Sequence, residues 1–293
     1  MRTVPIRLLS LAVAVAGAAS AAMAAGGPAV VRGSDQNYIP AGSAYSHYNG
    51  MWARHFDPSL RDTDDPRRAG GAGNRYWSRA TFDPARFPST TRIDWIVPAI
   101  ESWRRRGNPG VYGYLATSYG NYDSGQPDRR VAPVQVARLA RFISVVRWTL
   151  LGGRPGDVTV LQEFYLTRTP GDAAAKALEI GILLHPGDTA RDFHRKGRQL
   201  GSWTDGAGIE WAIARQGNYV MLMRADGKDL ISGTMDYGSL LARLSRLRQV
   251  NGAEWINGMA VGVEPIRGNG SFRLDEWNVA LRYSSRRSAM VFS

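Results

Sequence analysis

The sequence predicts an all-β protein, a sandwich or jelly roll of strands with one packed α-helix near residues 235–250. Short runs rich in β-branched and aromatic residues recur along the chain, separated by turn residues, as in β-sandwiches. A single later segment has its leucines at helical spacing. The runs are TRIDWIV, VYGYLATSY, RFISVVRWTLL, VTVLQEFYLT, ALEIGILLH, IEWAIAR, NYVMLMRA and WINGMAVGVE. The stretch from Ala260 to Tyr283 is expected to form a strand, a turn and another strand.

The predicted helix lies in MDYGSLLARLSRLRQVNG. Asp236 is suited to cap its beginning and Gly252 to end it. The leucines form one apolar stripe that is expected to pack on the sandwich. The stripe consists of Leu240, Leu241, Leu244 and Leu247.

The beginning of the chain has the pattern of a secretory signal peptide. Arg2 and Arg7 precede an apolar stretch, and Ala22-Met23-Ala24 fits a signal-peptidase site. The alternative is a membrane anchor, but the apolar stretch is short and rich in small residues. We therefore expect residues 1–24 to be removed and the protein to be exported, to the periplasm or the medium.

The remainder is expected to form one domain. We predict a flexible lead-in over residues 25–40, a β-jelly-roll domain over residues 41–285 and a C-terminal tail over residues 286–293. No later segment approaches the length of a membrane span, so no stable membrane insertion is expected. We expect a monomer.

Composition limits the classes of function. The chain has no cysteine, so its stability depends on the core and not on disulfides. The four histidines lack metal-ligand spacing, and no metal or other cofactor is expected. The net charge of +12 could attract nucleic acid, anionic glycans or a membrane surface. Export and the absence of a nucleic-acid motif argue against nucleic acid, and a solvated basic surface is the favoured interpretation.

Two glutamates are placed on the polar faces of predicted strands. Alternation along LEIGILL puts Glu179 and Gly181 on one face, and along MAVGVE it puts Glu264 and Gly262 on one face. We expect each glycine to leave open space for a polymer beside the carboxylate. The ordinary alternative is two outward-facing glutamates on half-solvated strands. The opposite, core-facing sides carry Leu178, Ile180 and Ile182 in the first strand and Met259, Val261 and Val263 in the second.

Many glycosidases use two carboxylates that face a groove. One carboxylate attacks the anomeric carbon, and the other protonates the leaving oxygen. AVGVEPIRGNGSFRLDEWNVAL resembles the acid/base strand of glycoside hydrolase family 12, which typically reads Gly-x-Glu-Pro before a glycine-containing turn. ALEIGILLHP resembles that family's nucleophile strand, and VLQEFYLT its strand with a supporting acid. YSHYNGMWA resembles the Asn-Asn-Leu-Trp-Gly stretch that lines the groove. The resemblance covers most of residues 41–283 and implies a concanavalin A-like β-jelly roll.

The resemblance also implies roles for individual residues. Glu179 corresponds to the nucleophile, Glu264 to the acid/base and Glu163 to the supporting acid, where the family usually has Asp. Trp52 corresponds to a platform that stacks on a glucosyl ring, and Asn49 to a nearby hydrogen-bonding group.

Other positions leave alternatives open or depart from the family pattern. Tyr112 is a candidate for substrate binding, but groove lining and core packing fit it equally. Gly181 and Leu183 stand where the family usually has Met and Trp, and Gly50 replaces one Asn of the groove motif. Gly181 and Leu183 reduce the stacking surface next to Glu179.

The sequence thus predicts an exported hydrolase of β-1,4-linked glucan that acts within the chain and retains anomeric configuration. Its partner is the polysaccharide substrate. The first alternative is a glycan-binding sandwich on the same scaffold without catalysis, and the second is a basic structural protein of the cell envelope.

Overall fold

The computed structural model describes residues 28–34, 36–99, 110–123, 130–172 and 175–284. The predicted signal peptide and C-terminal tail lie outside the described residues. Within these ranges the chain forms eighteen β-strands and two α-helices. No helix in the described part of the chain is long and apolar enough to cross a bilayer.

The elements follow one another as β1 (Ala29–Arg32), β2 (Asn37–Tyr38), β3 (Tyr45–Gly50), β4 (Arg61–Asp62), β5 (Arg75–Phe82), β6 (Thr91–Val97), β7 (Tyr114–Gly120), β8 (Val134–Gln135), β9 (Leu139–Gly152), β10 (Val158–Thr167), β11 (Lys176–His185), α1 (Asp188–Lys196), β12 (Arg198–Thr204), β13 (Glu210–Gln216), β14 (Tyr219–Arg224), β15 (Ser232–Asp236), α2 (Tyr237–Arg246), β16 (Trp255–Ile256), β17 (Gly258–Pro265) and β18 (Gly268–Tyr283).

The described strands form two sheets that pack face to face. The smaller sheet has the order β1-β5-β6-β18-β9-β15, with β4 paired to β5. The larger sheet has the order β12-β13-β14-β11-β10-β17-β7-β3-β2, and β16 joins β10 to β8. Most neighbouring strands are antiparallel, whereas β11–β14 and β4–β5 are parallel pairs. The predicted β-jelly-roll sandwich is therefore confirmed.

The core lies between the two sheets and is dominated by large aromatic side chains. β10 is central to the larger sheet, and all ten of its residues are buried. Phe164 on its inner face meets Phe142 of the smaller sheet, with ring centroids 5.0 Å apart in an edge-to-face arrangement. A core of this kind stabilises the domain without disulfides.

Helix α2 confirms the predicted helix and its cap. The Asp236 carboxylate accepts hydrogen bonds from the backbone N–H groups of Gly238 and Ser239, at 3.0 and 3.2 Å. The helix ends at Arg246, before the predicted limit, because the chain turns there: Arg248 adopts φ 55°. Three leucines of the predicted stripe are fully buried, namely Leu240, Leu241 and Leu244.

Two expectations about local structure were wrong. The stretch predicted as a loose lead-in contains β1, whose four residues pair with Arg79–Phe82 of β5, and β2, which pairs with β3. A second helix, α1, was not predicted, because among its residues only Ala190 and His194 are buried and no apolar stripe marks it. Its available signals are weaker ones, Asp188 in the first turn and basic residues in the last turn.

The Asp236 cap can be tested by stability measurements. Asp236→Ala leaves two N–H groups of α2 without their side-chain acceptor, and we expect it to lower the free energy of unfolding by about 1 kcal/mol. Asp236→Asn should restore most of this loss, because Asn caps equally well. Urea titration followed by circular dichroism measures both. Asp64→Ala is a matched exposed control, and a loss there equal to that of Asp236→Ala would contradict the capping role.

Candidate active site

Three glutamates lie on one face of the larger sheet, opposite to the core. In the register of β10 and β11, Glu163 pairs with Gly181, and Glu179 pairs with Tyr165. In the register of β10 and β17, Glu264 pairs with Thr159. Paired residues of antiparallel strands share a face, so the strand order places Glu163 between Glu179 and Glu264. The alternation predicted from the sequence is present, since the residues assigned to the core faces are buried there.

Glu163 occupies the middle of this site and is only 4% exposed. The Tyr122 hydroxyl donates a hydrogen bond to its Oε1, and the Tyr219 hydroxyl donates to its Oε2 at 3.1 Å. The Tyr165 hydroxyl lies 3.3 Å from that of Tyr122. Burial raises the pKa of Glu163, and the hydrogen bond from Tyr122 opposes this rise. Phenol donors favour the ionised form, so Glu163 is the carboxylate of the three that the protein best stabilises as an anion.

Glu179 is partly exposed, and it holds a proton more firmly than an ordinary glutamate does. Burial, followed by the negative charge of Glu163, raises the pKa of Glu179 well above its ordinary value. The Glu179 carboxyl also shares a hydrogen bond with Glu163, which raises the pKa of Glu179 and lowers that of Glu163. The two groups therefore titrate as a coupled pair, and the hydrogen bond between them favours the proton on Glu179.

Lys176 supplies a positive charge that acts on both members of this pair. Its ammonium group lies 3.7 Å above the centre of the Tyr165 ring and 2.5 Å from Oδ1 of Asp123. The Lys176 charge lowers the pKa of both Glu163 and Glu179. Because Asp123 follows Tyr122 directly, the ion pair also anchors the segment that carries the Tyr122 hydroxyl.

Glu264 is suited to act as an acid. It is partly exposed, and burial followed by the charge of Glu163 raises its pKa to about 8. It is therefore mostly protonated at neutral pH. Once ionised, Glu264 also raises the pKa of Glu179 through its negative charge.

The glycines beside Glu179 and Glu264 serve a different purpose from the one expected. A Cβ at Gly181 would lie 2.1 Å from the Tyr219 hydroxyl oxygen, and a Cβ at Gly262 would lie 2.1 Å from the carbonyl oxygen of Leu115. The expected open space is therefore occupied. Gly181 is required because the Tyr219 ring crosses it to reach Glu163, and Gly262 because the neighbouring strand approaches closely.

Helix α1 covers part of the same face. Ala190 of α1 packs in one buried cluster with Leu161 of β10 and Leu183 of β11. Phe193 of α1 contacts the Tyr219 ring, with centroids 6.0 Å apart. The helix thus borders the carboxylates on one side. Its beginning is tied down by Arg267, which pairs with Asp157 and, at 2.8 Å, with Asp188.

The other predicted substrate contacts divide into two groups. Asn49 and Tyr112 are 0% exposed, so the prediction that they contact a ligand is wrong. The Asn49 amide donates to the Gly33 carbonyl and to Ser78 on the smaller sheet, and the Tyr112 hydroxyl donates to the Pro98 carbonyl. Trp52 is partly exposed, with its ring 6.0 Å from that of Phe56, and stays a candidate for stacking.

Sequence reasoning missed the tyrosines that surround Glu163. Tyr122 and Tyr219 lie 41 and 56 residues from Glu163 along the chain. The clustering of tyrosines around positions 112–122 was the only available signal. Among the described residues, no group of three or more His, Cys, Asp or Glu side chains could hold a metal ion.

Comparison with known proteins decides the fold. No protein-family model and no curated protein matches the chain. The family 12 xyloglucanase from Bacillus licheniformis superposes with a TM-score of 0.65 at 13% identity, over 87% of this chain and 100% of that one. The chain has the fold of glycoside hydrolase family 12.

Other structures with the family 12 fold give the same result. Endoglucanase 3 from Trichoderma harzianum has a TM-score of 0.65 at 14% identity, over 89% of this chain and 100% of that one. Endoglucanase cel12A from Rhodothermus marinus has a TM-score of 0.63 at 14% identity, over 87% and 99%. The fold implied by the sequence resemblance is confirmed.

The raised pKa of Glu264 predicts how stability depends on pH. The carboxyl ionises near its ordinary value of 4.5 in the unfolded chain but only near pH 8 in the folded one. The free energy of unfolding therefore decreases as the pH rises from about 4.5 to about 8, because the unfolded chain releases the Glu264 proton first. We expect the melting temperature to fall from pH 5 to pH 8, and to fall less in Glu264→Gln, as measured by scanning calorimetry. Glu210→Gln on β13 should behave as the parent; a Glu264→Gln variant with the parent's pH dependence would contradict the assignment.

Proposed function

We propose that the protein hydrolyses β-1,4-linked glucan within the chain and retains anomeric configuration, outside the cytoplasm. The observation that carries the proposal is the placement of Glu179 and Glu264, both partly exposed, on one face of the sheet with Glu163 between them. Their unequal environments support different roles, because a protonated acid and an ionisable nucleophile are both required. The family 12 fold supports the same reaction class.

In the first step, Glu264 donates its proton to the glycosidic oxygen as the bond from that oxygen to the anomeric carbon breaks. A carboxylate oxygen of Glu179 forms a bond to the anomeric carbon on the opposite face. In the second step, the ionised Glu264 takes a proton from water, whose oxygen attacks the anomeric carbon and releases Glu179 as a carboxylate. The configuration is inverted twice and so retained.

Glu179 must lose its proton before it can attack. The hydrogen bond to Glu163 offers a route, because a shift of the shared proton leaves Glu179 ionised and Glu163 neutral. Lys176 favours the ionised form of Glu179. In this proposal Glu163 is a positioning residue that takes the proton of the nucleophile, and it does not contact the substrate.

The two carboxylates can be tested by substitution. Glu179→Gln and Glu264→Gln should each lower kcat on soluble β-glucan by about 1,000-fold or more, since nucleophile and acid are both essential. With an aryl glycoside whose leaving group needs little acid help, Glu264→Gln should still release the phenol in a burst, whereas Glu179→Gln should not. Reducing-sugar and burst assays measure the two effects, and proton NMR of fresh products reports retention.

Glu210→Gln is the matched control for this test, because Glu210 lies exposed on β13 of the same sheet. Its activity should equal that of the parent. Parent-level hydrolysis by folded Glu179→Gln and Glu264→Gln variants would refute the proposed roles.

Trp52 is the remaining candidate for sugar stacking. Loss of an aromatic platform costs about 0.5–1.5 kcal/mol, so Trp52→Ala should lower kcat/KM on β-glucan by a factor of about 2 to 13. Trp52→Phe should recover part of the loss. Steady-state kinetics and a melting curve for each variant distinguish sugar stacking from structural packing. A large drop in melting temperature would assign Trp52 to packing against Phe56.

A glycan-binding protein without catalysis is the second candidate. Two features favour it: Tyr219 occupies the space beside Glu179, and burial raises the pKa of Glu179, which opposes the ionised form that a nucleophile needs. This candidate predicts calorimetric binding of cello-oligosaccharides with no hydrolysis by the unmodified protein, even at high enzyme concentration. Any turnover that is lost in Glu179→Gln excludes it.

A further inference from the structure

A cavity of ≈ 630 Å³ lies on the smaller sheet, away from the three glutamates. It is bounded by strands β9, β15 and β18 and by the segment that leads from β5 into β6. Alternation along β9 turns Arg147 and Thr149 outward, whereas Val146 and Trp148 are buried. The lining residues are Arg86, Thr90, Arg147, Trp148, Thr149, Ile231, Ser232, Arg273 and Asp275.

Three of the lining side chains are arginines, and their charge is only partly balanced. Asp275 is the one acidic lining residue, and both of its oxygens are engaged: Oδ1 lies 2.5 Å from Nε of Arg273, and Oδ2 accepts from the Thr149 hydroxyl at 2.7 Å. The nearest acid to Arg147 is Glu276, at 3.9 Å. Arg86 has no ion-pair partner in the described part of the chain. The cavity therefore carries an excess of positive charge.

The segment that supplies Arg86 is held in an unusual backbone conformation. Thr90 adopts φ 71°, a left-handed conformation that β-branched residues rarely occupy. Its N–H donates to the Leu274 carbonyl at 2.8 Å, and this bond fixes the segment against β18. The Arg86 N–H donates to the Asp83 carbonyl at 3.0 Å within the same turn. Strained residues of this kind persist where the surroundings enforce them, often beside binding sites.

Size and chemistry limit the ligand. Guanidinium groups bind carboxylate and phosphate groups in a forked geometry. The cavity is far larger than a free phosphate ion and falls within the usual range for small-molecule sites, about 300–1,000 Å³. Hydroxyl groups of Thr90 and Ser232 offer partners for a polyhydroxylated ligand. Ile231, which is 60% exposed, offers an apolar surface for the C–H face of a sugar ring.

We propose that this cavity binds an acidic saccharide, a sugar unit that carries a carboxylate or a phosphate group. Arg86, Arg147 and Arg273 hold the anionic group. Ile231 and the hydroxyl groups of Thr90 and Ser232 contact the sugar ring. The site is separate from the proposed hydrolytic centre and does not depend on its activity. It gives the basic charge of the protein a specific use, in place of the solvated surface expected from composition.

Isothermal titration calorimetry on the whole protein tests this proposal. The probes are tetragalacturonate for the carboxylate source, glucose 1-phosphate for the phosphate source, neutral cellotetraose and inorganic phosphate. We expect one or both acidic saccharides to bind, and to bind more weakly as salt is raised. The double variant Arg86→Gln/Arg147→Gln should bind about tenfold or more weakly. Its hydrolysis of neutral glucan should be unchanged if the protein is a hydrolase.

Arg246→Gln is the matched control, because Arg246 is an exposed arginine at the end of α2 and is not among the lining residues. It should bind the acidic saccharides as the parent does. Three results would each overturn the proposal: no binding of either acidic saccharide, equal binding by the double variant and the parent, or inorganic phosphate binding as tightly as the acidic saccharide that binds best. Melting curves verify that the double variant is folded.

Discussion

The carboxylate of Glu163 is the constraint on which the rest of the site depends. A buried carboxylate is costly unless donors satisfy it, and the Tyr122 and Tyr219 hydroxyls meet this need. Its retained charge is one cause of the raised pKa of both Glu179 and Glu264. Burial, followed by the charge of this one anion, therefore makes its two partly exposed neighbours hold their protons.

The sandwich supports this arrangement because its sheets have two different faces. The inner faces supply the apolar core, which leaves the outer face of β10, β11 and β17 free to carry polar groups. Glycines at 181 and 262 allow the Tyr219 ring and a neighbouring strand to approach closely. Helix α1 then borders the carboxylates, so the site is narrower on that side than a bare sheet would be.

The outer surfaces of the two sheets also differ in the sign of the charged side chains that cluster on them. The larger sheet groups three glutamates on its outer face, whereas the smaller sheet groups Arg86, Arg147 and Arg273 around a cavity. The formal charge of +12 is thus not a uniform property of the surface. The two proposed ligands, a neutral glucan and an acidic sugar, would therefore bind at separate places and need not compete.

The sequence by itself determined the strands β10, β11 and β17, the face of Glu179 and Glu264, and the Asp236 cap, because alternation and capping act over a few neighbouring residues. The order of motifs also indicated the family 12 fold. Only the tertiary structure decided which partners fill the site. Tyr122 and Tyr219 reach Glu163 from distant strands, α1 settles on the same face, and Asn49 and Tyr112 turn into the core. Such contacts join residues that are distant in the sequence and depend on how the strands pair and the sheets pack. Local sequence patterns therefore do not predict them.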